Sequence, residues 1–136
     1  MDIIATLLSG LPILVGQFAT TLALLGFGFA CYNLLTPFHE RELVRQGNVA
    51  AGVVAAGTLV AIAIPLAATL ATSASTIDIL IWGLVAVVIQ VLAFLAATFM
   101  IKDLRTMIEA GNVAAALVLV GIQLAVALLN AGSMAG

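Results

Sequence analysis

Charged side chains are scarce in this sequence. Asp, Glu, Lys and Arg make up 7% of the 136 residues and hydrophobic residues make up 65%, whereas soluble domains carry about 25% charged residues. A soluble fold of this size could not hide so much apolar surface from water. Four uncharged runs remain, each long enough for the roughly 20 residues of a transmembrane helix: 3–38, 47–77, 79–101 and 110–136. The sequence predicts an all-α membrane protein with four transmembrane helices in one integral membrane domain, residues 1–136.

Residues for metal or catalytic chemistry are equally few. The single histidine, His39, lies beside Glu40, but a metal site needs three or four converging ligands. The single cysteine, Cys31, lies inside an apolar run and cannot form an internal disulfide. The sequence contains no catalytic triad, HExxH motif or phosphate-binding loop. We expect no catalytic residue, metal or cofactor, and hence no enzyme. The net charge of −2 without a basic cluster also gives no reason to expect nucleic acid as a partner.

Basic residues are confined to two of the three connections between the apolar runs. Because cytoplasmic loops carry the excess of Lys and Arg, these residues indicate that the first and third connections face the cytoplasm: Arg41, Arg45, Lys102 and Arg105. Both termini then face outward, on the periplasmic or extracellular side. The first run begins with the acid Asp2 and is longer than a signal-peptide core, so we expect it to be retained as a helix.

Local signals refine the outer side of this topology. Ser75 and Asp78 resemble a capping box that opens the third helix, and Trp82 is expected to anchor that helix at the headgroup level. Pro12 suits the first turn of the first helix, where proline's missing N–H is not needed. Residues 1–8 either lie along the outer surface as a short amphipathic segment or simply extend this helix.

The sequence contains an internal repeat, in which the first charged connection and the residues after it resemble the third connection and the residues after it. Residues 46–57 align with residues 110–121, and Arg41 falls on Arg105 in the same register. The chain therefore resembles two tandem helical hairpins, covering about residues 11–72 and 76–134. Because each hairpin contributes two spans, both insert with the same orientation, and the repeats are expected to be parallel about an axis along the membrane normal.

The most similar part of the two repeats is a Gly-Asn pair followed by small residues. Glycine tolerates the positive φ of a tight turn, asparagine caps free N–H groups, and small residues let helices approach closely. The motif therefore indicates a cap followed by a packing seam; the alternative is that the paired asparagines coordinate a ligand at the cytoplasmic mouth. The residues are Gly47, Asn48, Ala51, Gly111, Asn112 and Ala115.

Each predicted helix carries one weakly polar stripe. The stripes include Gln17, Thr21 and Tyr32 on helix one, Thr58, Pro65 and Thr69 on helix two, Asp78 and Gln90 on helix three, and Gln123 and Asn130 on helix four. Such residues serve as interhelical hydrogen-bonding groups, or they line a water-filled path for a small solute. No ionisable residue is expected at membrane depth, which argues against proton-coupled transport. A passive pore, at the centre of an oligomer, stays open as an alternative.

The charged connections alternate in sign and are expected to be solvated. They are also the only cytoplasmic surface on which a peripheral partner could dock. In the third connection, Ile101, Leu104 and Ile108 keep helical spacing. This spacing predicts that the third transmembrane helix extends past the bilayer, with Arg105 and Glu109 as an i,i+4 ion pair.

Together, these motifs resemble the YjfL-like family of small bacterial inner-membrane proteins, also known as domain of unknown function 350. The resemblance rests on Leu35-Thr36-Pro37, Gly47-Asn48-Val49-Ala50-Ala51, Ile64-Pro65-Leu66, Ile81-Trp82-Gly83, Val88-Ile89-Gln90, Gly111-Asn112 and Leu129-Asn130-Ala131-Gly132-Ser133-Met134. It implies a four-helix protein of the inner membrane without established activity, and the family's gene neighbourhoods suggest envelope maintenance or stress.

Two functional hypotheses follow. The first is a non-enzymatic structural or accessory subunit that forms a homo-oligomer, or joins other membrane subunits, through small-residue helix faces in the lipid bilayer. The alternative is a passive channel or transporter for ions or small solutes. Its walls would be the intramembrane polar residues Gln17, Gln90, Gln123 and Asn130.

Overall fold

The described part of the chain is entirely helical. The computed structural model describes residues 2–36 and 38–135, so Pro37 of the Leu35-Thr36-Pro37 motif lies outside the described residues, as do Met1 and Gly136. Within these ranges the helices are α1 (Ile3–Leu35), α2 (Glu40–Arg45), α3 (Val49–Thr72), α4 (Thr76–Met100), α5 (Leu104–Glu109) and α6 (Val113–Ala135). Four of them, α1, α3, α4 and α6, are long and apolar enough to cross a membrane. The predicted all-α class with four spans is confirmed.

Helices α1 and α4 lie side by side and run in the same direction. A Cβ on Gly83 would lie 2.5 Å from Leu24 Cδ1, and a Cβ on Gly28 would lie 3.2 Å from Val87 Cγ1. In both pairs the residue on α4 is the same number of positions later in the sequence than its partner on α1. The residue numbers therefore increase in the same direction along both helices, which occurs only when neighbouring helices are parallel. Each glycine lets the opposite side chain approach closely, which is how helices associate in lipid without a hydrophobic driving force.

Helices α3 and α6 form the second parallel pair, and their contact is the most extensive in the bundle. A Cβ on Gly57 would lie only 2.5 Å from both methyl carbons of Val120. Valine is stiff at χ1 because it is β-branched, so its methyl groups could not move aside easily. Alanines that are fully buried continue the close packing on these two helices: Ala50, Ala51, Ala61, Ala116 and Ala127.

The buried apolar side chains form two clusters along the bundle. One lies toward α2 and α5 and includes Tyr32, Phe38, Phe94, Ile108 and Leu119. Tyr32 and Phe94 meet edge to face, with ring centroids 4.8 Å apart, a favoured aromatic geometry. The other cluster consists of Leu24, Ile62, Leu66, Ile79 and Val87. The first cluster therefore fastens the two short helices to the membrane-spanning ones.

The first helix starts earlier than Pro12 indicated. The Asp2 side chain accepts a hydrogen bond from the Ile4 N–H at 3.0 Å, so the N-cap is Asp2 and Pro12 lies well inside α1. The expectation that Pro12 occupies the first turn is wrong, because an acid ten residues upstream supplies the cap. Of the two alternatives for the start of the chain, the described residues extend the helix.

The third transmembrane helix does not continue into the charged connection. It ends at Met100, and Asp103 adopts a left-handed conformation with φ 58° before α5 begins. The helical spacing of Leu104 and Ile108 instead places both side chains on the buried face of the separate short helix α5. The predicted extension is therefore wrong. The predicted ion pair is confirmed, with Arg105 Nε 2.8 Å from Glu109 Oε1.

The first half of α1 has no packing partner within the described chain. Every residue from 3 to 16, here called the α1 extension, is exposed. The common offset of the Leu24–Gly83 and Gly28–Val87 contacts places Gln17 beside Thr76, where α4 begins. At 1.5 Å per residue, the α1 extension therefore projects about 21 Å beyond the start of α4.

Candidate polar site in the bundle

Several polar side chains are buried between the transmembrane helices. Apart from Glu40 on α2, the buried polar residues are Thr58, Thr69, Gln90, Gln123 and Asn130. A polar group away from water is costly unless it is hydrogen-bonded. Thr69 meets this requirement locally, since its hydroxyl donates to the Pro65 carbonyl at 3.0 Å. The other four must find partners on neighbouring helices.

Those four residues form a connected hydrogen-bonded set, here called the polar line. Gln123 Nε2 donates to Thr58 Oγ1 at 3.1 Å, and Gln90 Nε2 donates to the Gln123 backbone carbonyl at 3.3 Å. Asn130 Nδ2 donates to Gln90 Oε1 and to the Ala86 carbonyl, both at 3.2 Å. The polar line thus joins α3, α4 and α6.

The sequence positions explain why these groups meet. Gln123 and Asn130 are two turns apart on α6 and share a face. Ala86 lies one turn before Gln90 on α4, and its small side chain leaves the backbone carbonyl within reach of Asn130. The Asn130 Oδ1 atom is buried and accepts no hydrogen bond from the described residues. The polar line therefore retains an unused acceptor at its Asn130 end.

The other end of the polar line borders a very small cavity. It is lined by Tyr32, Thr58, Gln90, Phe94 and Gln123, among others, and the centre of a water molecule has about 10 Å³ available within it. This volume is about what one water molecule requires. The polar line is therefore tightly packed at this end, with one water-sized space.

Tyr32 and Glu40 continue the polar groups from this cavity toward α2. The Tyr32 residue is 1% exposed and Glu40 is 7% exposed. The Tyr32 hydroxyl has Glu40, Thr36 and Thr58 around it, yet neither this hydroxyl nor Glu40 Oε2 has a hydrogen-bond partner among the described residues. Burial raises the pKa of the Glu40 carboxyl above its ordinary value of 4.5, and the neighbouring Tyr32 hydroxyl lowers it in part.

The burial of Glu40 corrects the expectation of a uniformly solvated first connection. Arg41, Glu42 and Arg45 are exposed, but Glu40 is not. The reason is tertiary: Phe38, just before α2, is buried in the bundle, and Leu43 on α2 is partly buried against it. Leu43 lies one turn after Glu40, so an apolar residue at that spacing was the available signal for a buried face.

The two Gly-Asn pairs form matching corners between a short helix and a long one. Gly47 and Gly111 have φ of 85° and 82°, a region that glycine adopts without strain. Asn48 Oδ1 accepts from the Ala51 N–H at 3.0 Å, and Asn112 Oδ1 accepts from the Ala115 N–H at 3.1 Å. Both alanines are buried.

Asn48 has a further role that Asn112 lacks in the described chain. Its Nδ2 donates to the carbonyls of Ile108 at 2.8 Å and Glu109 at 3.3 Å, which belong to the last turn of α5. The Asn48 amide therefore joins the first corner to the second short helix. Both of its ends are engaged, so this geometry favours the capping interpretation over ligand coordination.

The remaining predicted residues lie apart from the polar line. Gln17 is half-buried beside the start of α4, and its side chain makes no hydrogen bond to the described residues. Trp82 is 53% exposed and lines a surface groove with Asp78 and Ser133. Ser75 caps α4 by accepting from the Asp78 N–H at 3.3 Å. The exposed basic residues are Arg41, Arg45, Lys102 and Arg105. No group of three His, Cys, Asp or Glu residues in the described ranges could hold a metal ion.

Comparison with known proteins supplies a family. The family model described as Domain of Unknown Function (DUF350) matches residues 6–134. Two curated relatives are the UPF0719 inner membrane proteins YjfL of Escherichia coli strain K12 and of Escherichia coli O157:H7. Each is 33% identical over 103 residues, which cover 76% of this chain and 78% of the relative. No solved structure matches significantly.

The polar line predicts that Gln123 contributes to stability through its side-chain amide. Gln123→Leu removes the donor to Thr58, and we expect the free energy of unfolding to fall by about 1 kcal/mol, within the range of interhelical hydrogen bonds. Gln17→Leu is the matched control, since Gln17 makes no such bond, and it should change the free energy by much less. The measurement is denaturant unfolding of the detergent-purified protein followed by circular dichroism. Equal effects of the two substitutions would contradict the role assigned to Gln123.

Proposed function

The chain belongs to the DUF350 (YjfL-like) family, and from this premise we propose that it is a non-enzymatic accessory subunit that assembles through its helix faces. It is a multi-pass inner-membrane protein. The proposed assembly is a homo-oligomer or a complex with another membrane subunit, with a role in envelope maintenance or stress. Its main support is the α1 extension, an apolar helical segment without a packing partner in the described part of its own chain.

The proposed topology has α2 and α5 in the cytoplasm and both termini outside. All four basic residues lie on these short helices or in the turn before α5. The bond from Asn48 to Ile108 and Glu109 supports a common side, since it requires the first corner and α5 to lie at the same end of the bundle. The matching corners at Gly47 and Gly111 support the further proposal that the two hairpins are parallel repeats.

This topology makes a direct prediction about accessibility. In a Cys31→Ala background, Arg41→Cys and Arg105→Cys should both react with a membrane-impermeant maleimide only in inverted vesicles. Ala74→Cys, in the outer turn between α3 and α4, should react only from outside in intact cells. Labelling of positions 41 and 105 from opposite sides, or of either one from outside, would overturn the proposed topology.

The length and composition of α1 support assembly. Its 33 residues would extend about 50 Å, whereas the hydrocarbon core is about 30 Å thick. Large apolar side chains of the α1 extension, such as Ile3, Leu7 and Leu14, are more than half exposed. If α3 and α4 span the hydrocarbon, leaving these side chains in water is unfavourable. Packing against another helix would bury them.

The α1 extension also carries a face suited to such packing. Small side chains recur at one- and two-turn intervals, and proline lies among them: Ala5, Ser9, Pro12 and Gly16. A Cβ on Gly16 would meet nothing within 4 Å, so the chain itself leaves this position open. Small residues at helical spacing allow close contact between transmembrane helices. We assign this face to the contact between copies.

The assembly proposal predicts that a large side chain at Gly16 disrupts association. Gly16→Ile should shift detergent-purified protein from a defined oligomer to smaller species in native mass spectrometry, because the added atoms separate the helix backbones. Gly121→Ile on α6 is the control, since a Cβ there also meets nothing within 4 Å, and it should leave the mass distribution unchanged. A wild-type monomer without a copurifying subunit would count against assembly.

The polar line supports a second candidate function, a passive path for ions or small solutes. Gln90 is the central member, since it donates to Gln123 and accepts from Asn130. Separation of the helices along the polar line would let water replace these hydrogen bonds. Under this candidate, Gln90→Leu should reduce the flux of ions or water in proteoliposomes several-fold, whereas Gln17→Leu should not. Flux that Gln90→Leu leaves unchanged would remove this candidate.

A further inference from the structure

Glu40 is a buried carboxyl at the junction of α1 and α2. Its Oε2 atom is shielded from solvent and has no hydrogen-bond partner among the described residues. An isolated buried carboxylate is strongly disfavoured, so such a group either pairs with a cation or binds a proton. The surroundings of Glu40 distinguish these two solutions.

The described elements packed around Glu40 offer no cationic partner. Helix α1 contributes Tyr32, and Thr36 follows as its C-cap. Helix α3 contains no ionisable residue between Val49 and Thr72. Among the described residues, only Arg105 and Glu109 form an ion pair within 4 Å, so Glu40 is not paired with a basic side chain. The other titratable or charged groups of the two short helices and their flanks are exposed: His39, Arg41, Glu42, Arg45, Lys102 and Asp103. A proton is therefore the cation that fits.

Glu40 is also placed between solvent and the polar line. On one side it lines an open groove together with Asn33, Thr36 and His39. On the other side is the Tyr32 hydroxyl, which is also close to Thr58, the first member of the polar line. Protons can reach Glu40 from the groove, and the Tyr32 hydroxyl has both Glu40 and Thr58 as neighbours.

We propose that Glu40 and Tyr32 form a proton-binding site that opens to the groove and communicates with the polar line. A proton from water adds to a Glu40 carboxylate oxygen and returns to water on release. When Glu40 is ionised, the Tyr32 hydroxyl donates to the carboxylate. When Glu40 is protonated, its O–H donates to the Tyr32 oxygen, and the Tyr32 hydroxyl turns to donate toward Thr58. Proton binding thus reverses the direction of the Tyr32 hydrogen bond.

The site is tested by infrared titration of the purified full chain in liposomes. Wild-type protein should retain the C=O stretching band of one protonated carboxyl well above pH 4.5, the ordinary pKa of glutamate. Glu40→Gln should lose this band, and Glu42→Gln, which changes an exposed neighbour, should keep it. Tyr32→Phe should move the midpoint of the band to higher pH, because the Tyr32 donor stabilises the ionised form. A band that is absent above pH 4.5, or that survives in Glu40→Gln, would overturn the proposal.

Thermal unfolding of the same variants gives a second readout. Burial favours the neutral carboxyl, so the folded protein binds this proton more tightly than the unfolded chain does. The contribution of this proton to the stability of the folded protein is complete below pH 4.5 and is lost as the pH rises above that value. Glu40→Gln should therefore raise the unfolding temperature at neutral pH and have a smaller effect in acid, while Glu42→Gln should do neither. An equal effect of Glu40→Gln at both pH values would contradict proton binding.

The proton site does not depend on the proposed assembly or on conduction. Native mass spectrometry of Glu40→Gln should show the same species as wild type, because Glu40 lies at the opposite end of α1 from the α1 extension. A loss of the infrared band with unchanged mass supports the proton site alone. A changed mass with an unchanged band would count against it.

Discussion

Hydrocarbon offers no hydrogen-bond partner to a side chain, and this constraint governs the interior of the bundle. Thr58, Gln90, Gln123 and Asn130 must pair with protein atoms, and the angular orientation of three helices follows from that need. Gln123 illustrates the point, because its amide contacts α3 while its backbone carbonyl accepts from α4. Rotation of α6 about its axis would break both contacts together. The polar line therefore determines which helix faces meet, and small residues determine how closely they meet.

Much of the fold was predictable because it depends on local composition. Uncharged runs predicted four spanning helices, and the 3.6-residue period placed Gln123 and Asn130 on one face of α6. The same period could not show that this face meets Gln90 and Thr58 while Gln17 stays outside the set. Which stripes meet depends on hydrogen bonds between helices, such as the one from Gln90 to the Gln123 carbonyl, and a single helix sequence does not contain its neighbour's position.

Two of the wrong predictions, those for the third connection and for Glu40, share a physical cause. The helix breaks before α5 at Asp103, which adopts a left-handed conformation. No glycine or proline lies nearby, so the local sequence contained no signal for this break. Glu40 was expected to be solvated because it stands in a run of alternating charges, but docking of α2 buries it. In both places tertiary contacts of a six-residue helix outweigh the local pattern, since so short a helix has little stability of its own.

The bond from Asn48 to the end of α5 has a consequence for biosynthesis. Its acceptor at Ile108 is 60 residues later in the chain, so the Asn48 amide is synthesised well before that carbonyl. During this interval the Asn48 amide must find water or another partner at the bilayer surface. The bond from Asn48 can form only after α5 has been synthesised and has folded. Closure of this contact is therefore a late step in the making of the fold, because it must wait for the last turn of α5.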